Sequence, residues 1–157
     1  MSGEALERFI QAQEQGDPAS YTTALRELQT GRKKDHWIWY VFPQLKGLGS
    51  SRHSSFYGLD GIEEAKSYLM HPLLSERYTE CLAVLLVRLQ EGDQLKQVLG
   101  STDAQKLLSS ITLMRQALLA GAPDDSQQGL QKMIDTLFQL LVQQGYRPCR
   151  STLQNLL

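Results

Sequence analysis

Much that would place this chain at a glance is missing from it. Its two cysteines, Cys81 and Cys149, stand far apart with no C-x-x-C and no Cys/His spacing, which excludes a disulfide framework and a zinc site. Cys81 falls on a helical apolar face, where a free thiol packs as a small hydrophobe. No two histidines share i, i+4 spacing beside a carboxylate, so neither a metal nor a cofactor is expected. The longest apolar run, Cys81 to Val87, is too short to span a bilayer, and the N-terminus lacks the basic start and apolar stretch of a signal peptide. The expectation is a cytoplasmic, intracellular protein with no membrane partner. A net charge of only -1 argues against general nucleic-acid binding. No repeat period or low-complexity tract is present.

What is there suits a single all-α domain over residues 1–157. Hydrophobic residues make up 41% and charged residues 21%, near globular averages and far from the composition of disorder. Charge is unevenly spread: Arg32, Lys33, Lys34, Lys46 and Arg52 oppose only Asp35 between residues 32 and 53, so this window carries +4 and the remainder -5. Such a zone suits a small anionic ligand better than a long polyanion.

Apolar residues recur at helical spacing along most of the chain. Leu6, Phe9, Ile10 and Ala12 predict a first helix; Asp17-Pro18 supplies a cap and first-turn proline for a second, which carries Tyr21, Ala24, Leu25 and Leu28 and ends at Gly31. Asp60-x-x-Glu63 reads as an acidic capping box ahead of Ile62, Ala65, Tyr68 and Leu69. Pro72 opens the most apolar helix, with a seam of Leu74, Tyr78, Cys81, Leu82, Leu85 and Leu89, and this helix is expected at the centre. A short helix over Leu95, Val98 and Leu99 closes at Gly100. Thr102-x-x-Gln105 is a capping box for a helix through Leu107, Leu108, Ile111, Met114 and Leu118. Leu130 to Leu141 form the last long helix, and Ser151 or Thr152 caps a terminal turn. The total is about seven or eight helices.

The segment His36-Trp37-Ile38-Trp39-Tyr40-Val41-Phe42-Pro43-Gln44 holds both tryptophans and lies within the basic zone. Its uniform apolarity fits strand or helix, but with no second strand to pair it, a short buried helical or irregular segment ended by Pro43 is expected. The run Gly47, Gly49, Ser50, Ser51, Ser54, Ser55 and Gly58 predicts one long Gly/Ser-rich loop, a place where function concentrates.

Three segments carry the candidate site residues. In the loop, backbone N–H groups at Gly49 and Ser50 with Lys46 or Arg52 suit an oxyanion, although G-x-x-x-x-G-K-[ST] is not matched; a plain solvated loop is the alternative. His36 serves as acid, base or donor, or else bonds a backbone carbonyl; His53 is read as merely exposed. Of Trp37, Trp39, Tyr40 and Phe42, one or two face a cavity and the rest pack. Turning about 100° per residue, the helix from Asp103 sets Asp103, Lys106 and Ser110 along one flank. There Asp103 either acts as a base or complements the helix dipole, and Lys106 either holds an anion or snorkels. His71 before Pro72 either caps the preceding helix or joins the acid–base set.

Taken together, Leu6-Glu7-Arg8-Phe9, Gly31-Arg32-Lys33, His36-Trp37-x-Trp39-x-x-Phe42-Pro43-Gln44, Gly47-Leu48-Gly49-Ser50, Tyr57-Gly58, Glu64-Ala65-x-x-Tyr68-Leu69-x-His71-Pro72 and Asp103-x-x-Lys106-x-x-Ser109-Ser110-x-Thr112-Leu113 resemble the domain of unknown function family 1810 over nearly the whole chain. The resemblance implies a small, mainly helical domain and no established activity. It also implies His36, Trp37, Trp39, Gln44, Gly49, Ser50, Tyr57, His71, Asp103, Lys106, Ser110 and Thr112 as motif positions. Met114 replaces the family's usual phenylalanine, and Cys149 stands where an acidic residue is expected. The label calpastatin, borne by some members, is not carried over, because inhibitors of that name are long disordered chains. A looser similarity around Glu64 to His71 resembles the NADAR family, which acts on ADP-ribosylated guanine.

The expected function is binding, extending to hydrolysis, of a phosphorylated nucleotide-like or ADP-ribose-like molecule in a pocket between residues 36–58 and the 102–113 helix. Lys46, Arg52 and Lys106 would hold phosphate, and Asp103 with His36 or His71 would do acid–base work. The alternative is a non-enzymatic module that binds an acidic partner through the 32–53 zone.

Overall fold

Apolar spacing becomes helix wherever it persists for two turns. The structure, a computed structural model, describes residues 2–16, 19–49, 51–121 and 123–156, and for residues 2–4 only the backbone. These residues form ten helices and no extended sheet. Helix α1 (Ser2–Gln15) buries Leu6, Phe9 and Ala12; α2 (Tyr21–Thr30) buries Ala24 and Leu28 and ends at Gly31. Ser20 caps α2, its hydroxyl accepting from the Thr23 N–H at 3.3 Å. The expected cap at Asp17 and Pro18 lies outside the described residues.

The aromatic segment folds as α3 (Ile38–Val41), a single helical turn in which Ile38, Tyr40 and Val41 are buried, flanked by buried Trp37 and Phe42. Beyond it, the expected long loop is interrupted by α4 (Arg52–Tyr57). Six residues are too few to show a period, and the helix stands on tertiary support. The Ser51 hydroxyl accepts from the Ser54 N–H, while Arg8 on α1 donates to the carbonyls of Phe56 at 2.8 Å and Gly58 at 3.0 Å. A two-bond parallel bridge joins Leu45 and Leu59 at the base: Lys46 N–H donates to the Leu59 carbonyl, and Leu59 N–H to that of Gln44. Gly58 is required there, because a Cβ would stand 2.6 Å from the Cα of Lys46.

The second half comprises α5 (Ile62–Met70), α6 (Pro72–Gln90), α7 (Leu95–Leu99), α8 (Ser101–Ala120), α9 (Asp125–Gln143) and α10 (Arg150–Asn155). All six residues of the predicted α6 seam are buried, each worth about 1.5–3 kcal/mol relative to exposure for the large aliphatic ones. The centre, however, is α8, which buries eleven residues and packs on α3, α5, α7, α9 and α10. Polar residues concealed this in the sequence. Ser110, Ser109 and Thr112 are buried because their hydroxyls bond inside the protein, whereas α6 leaves Val87 half exposed.

Several caps differ from expectation. Glu64 rather than Glu63 turns back to accept the Asp60 N–H, at 2.9 Å, and Gly61 precedes α5. The Thr102/Gln105 box does not form, because Gly100, at φ 87°, turns the chain straight from α7 into α8 at Ser101. Capping boxes stand instead at Gln94/Gln97 and Asp124/Gln127. Cys149, not Ser151 or Thr152, precedes α10. His71 ends α5 and caps α6, its Nδ1 accepting from the Leu74 N–H at 3.4 Å.

Candidate functional site

An acid on the buried face of α2 anchors the site. Glu27 is only 6% exposed, and its Oε1 accepts from the backbone N–H groups of Lys34 and Asp35, at 2.8 and 3.0 Å, and from the indole N–H of Trp37 at 2.9 Å. Burial opposes its charge, but hydrogen bonds from the Asp35 side chain, these two backbone groups and Trp37 outweigh it and hold the Glu27 carboxyl down at about 2. The same contact raises the Asp35 carboxyl. Glu27 therefore fixes the turn that presents Lys33 and His36.

A cleft of about 340 Å³ opens beside this turn, between α3 and the start of α8. Lys33, His36, Trp39, Asp103 and Lys106 line it, with the backbone from Leu99 to Thr102. Lys33 Nζ lies 2.6 Å from Asp103 Oδ2, donates to the Asp35 carbonyl at 2.6 Å and sits 5.0 Å above the Trp37 ring. Lys106 Nζ lies 3.4 Å from the other oxygen, Asp103 Oδ1, and 4.8 Å above the Trp39 ring. The two lysines thus share one carboxylate and leave a net positive cleft. Its wall includes the first turn of α8, where Ala104 makes the first intrahelical bond, to Gly100, so the N–H groups of Ser101, Thr102 and Asp103 precede the ladder. Gly100 has no side chain with which to cap them.

Trp39 is the tryptophan that reaches the cleft. Its ring stacks on His53 at 4.6 Å and lies 6.4 Å from His36; its Nε1 is buried and has no hydrogen-bond partner among the described residues. Trp37 is wholly buried and belongs to the core.

The cleft thus gathers His36, Trp39, Asp103 and Lys106 of the predicted residues, and the others go elsewhere. Ser110 lies on the same flank of α8 but deeper, where α6 covers it; its hydroxyl is 2.9 Å from that of buried Tyr78. The Thr112 hydroxyl accepts from the Cys149 N–H at 3.0 Å and anchors the C-terminal segment. Gln44 is buried beside the Leu45–Leu59 bridge, and Tyr57 packs on Phe9 and Tyr40. Lys46 and Arg52 are exposed away from the cleft, Lys46 3.8 Å from Asp60, and Gly49 faces the Ser54 side chain. Ser50 lies outside the described residues. His71 caps α6 rather than facing Asp103. The described residues of the glycine–serine loop thus contribute nothing to the lining of this cleft.

Lys33 and Glu27 were missed as site residues. Glu27 had left a signal, since it stands three residues after Ala24 and four before Gly31, on the apolar side of α2. His53 is exposed, as expected, and in addition stacks on Trp39. No group of three or more metal-binding side chains occurs among the described residues, and no helix among them is long and apolar enough to cross a membrane.

Helices packed around α8, with no extended sheet among the described residues, make this an all-α domain. A model of the family described as protein of unknown function (DUF1810) matches residues 3–144, and the chain belongs to that family. The crystal structure of the conserved hypothetical protein Rv1873 from Mycobacterium tuberculosis is similar, with 36% identity, a TM-score of 0.79, and 96% of this chain and 95% of that chain covered. No curated protein matches the chain.

Proposed function

We propose that the cleft binds the phosphoryl group of a small nucleotide-like or ADP-ribose-like molecule. The observation that carries this is the uncapped start of α8 between Lys33 and Lys106. Free N–H groups at the positive end of a long helix, beside two ammonium groups, form an anion site with directed donors. Asp103 holds both lysines in place, and Trp39 offers an aromatic wall beyond them. At about 340 Å³ the cleft is at the lower end for small-ligand sites and suits a phosphoryl group with a compact attachment.

Hydrolysis in the cleft would fall to His36. Both Asp103 oxygens are engaged by lysines, which favours an organising role over that of a base, and leaves His36 as the acid–base candidate at the cleft.

A thermal-shift series with ADP-ribose, nucleotides and sugar phosphates tests the reading. A ligand at a hundred times its dissociation constant adds about 2.7 kcal/mol of stability, and Lys106→Ala should abolish most of that gain. The absence of a shift with every phosphorylated compound defeats it.

One observation favours the second reading, an acidic partner bound outside the cleft. Arg32, Lys34 and Arg52 are exposed and make no ion pair among the described residues. Binding lost on charge reversal at these three, and unaffected by Lys106→Ala, would select it.

A further inference from the structure

A cavity larger than the cationic cleft lies elsewhere. On another part of the molecule, about 820 Å³ opens among the C-terminal ends of α5 and α8 and the N-terminal ends of α6 and α9. Its apolar wall is built by Leu69, Ala117 and Leu118, whose bodies belong to the core, and Met70 stands on the lip 72% exposed. The rest of the lining is polar and carries three carboxylates.

Glu76 and Glu80 line it from successive turns of α6, and Asp124 lines it from the start of α9. Like charges at i, i+4 repel along a helix, and no lysine or arginine among the described residues pairs with either glutamate. Glu80 accepts a hydrogen bond from the Tyr21 hydroxyl, which leaves its charge in place. The lining includes one cation, Lys66, which lies 3.5 Å from Glu63. A cavity of this volume falls inside the range of small-molecule sites, and its charged lining sets three carboxylates against one ammonium.

We infer that this cavity binds a small organic cation, an amine with an apolar alkyl or aromatic body. The body lies against Leu69, Ala117 and Leu118, and the flexible Met70 thioether folds over it. The ammonium lies by Glu76 and Glu80, where it relieves their repulsion. The site is separate from the cationic cleft and of opposite charge, so the two proposals stand or fall independently.

The test uses three matched compounds, 4-phenylbutylamine, 4-phenylbutanol and 4-phenylbutyrate, titrated into the whole protein and followed by calorimetry and amide chemical shifts. The amine should bind saturably, with shifts centred on Leu69, Ala117 and Leu118. It should bind about threefold to fivefold tighter than the alcohol, as half-exposed ion pairs allow, and the butyrate weakest of all. Glu76→Gln, at an exposed position, should bring the amine close to the alcohol without lowering the melting temperature. Equal affinities for the three compounds, shifts confined to another surface, or no saturable binding overturns the inference.

Discussion

Lys33 and Asp103, seventy residues apart, meet at 2.6 Å with the lysine side chain only 5% exposed and the aspartate 17%. This contact joins the turn after α2 to the first turn of α8 and thereby closes the back of the cleft. A buried ammonium that loses its counter-ion is costly. Asp103→Asn should therefore destabilise the fold by about 2–3 kcal/mol in urea unfolding, less than a fully buried pair because the aspartate retains some solvent. Anion affinity should hold or rise, since a negative charge leaves the cleft. If Asp103→Asn instead abolishes turnover of a substrate while stability is unchanged, the aspartate is a base and not an organiser.

Glu27 makes stability dependent on acid pH. Its folded pKa, about 2, lies below its ordinary value of 4.5, so it contributes stability above the unfolded pKa that is lost as pH falls through the folded one. Asp35 is shifted the other way, and its contribution runs in the opposite sense, present at low pH and lost as pH rises. The net expectation is a loss of stability as pH falls from 4.5 towards 2, partly offset by Asp35. Glu27→Gln should flatten that limb of the pH profile. An unchanged acid limb in the variant would assign the effect to other carboxylates.

Ser110 is expected to matter for stability alone. Ser110→Ala leaves the wholly buried Tyr78 hydroxyl without its partner, at a cost of about 1–2 kcal/mol. Tyr78→Phe in the same background should recover part of that loss, because both polar groups are then gone. Ligand affinity at the cleft should not move in either variant. A large affinity loss on Ser110→Ala would return this residue to the site.

The two thiols should react very differently. Burial first, then the neighbouring Glu80, pushes Cys81 up to about 12. Cys149 is half-buried; burial opposes its thiolate, but hydrogen bonds from Ser109 and Thr152 prevail and lower it. Iodoacetamide under native conditions should alkylate Cys149 and spare Cys81, as read by mass of tryptic peptides. Ser109→Ala should slow the reaction. Equal labelling of both thiols would contradict the buried placement of Cys81.

Helices with strong periodicity were legible because their burial is local in sequence. The α6 seam from Leu74 to Leu89 and the stops at Gly31 and Gly100 needed no knowledge of distant residues. Caps slipped by one or two positions, since Gly100 solves by backbone freedom what Thr102 suggested by side chain, and Glu64 rather than Glu63 reaches the Asp60 N–H. Helix α4 was hidden because Arg8, far away in sequence, holds it. The site divides in the same way. His36, Trp39, Asp103 and Lys106 could be picked from chemistry and spacing, whereas Lys33 acquires its role through a contact across the fold. Ser110 and Thr112 were misplaced because a hydroxyl on a helix flank looks identical whether it meets a ligand, a tyrosine or a backbone N–H.

The small bridge between Leu45 and Leu59 has a consequence for how the chain can vary. It pins together the two ends of everything from residue 46 to 58, so the spacing between α3 and α5 no longer depends on what lies between. The segment is a cassette. Its contents, His53 and α4 included, can be exchanged for a longer or shorter insert while the helices on either side keep their register, provided that Gly58 remains to let Lys46 pass.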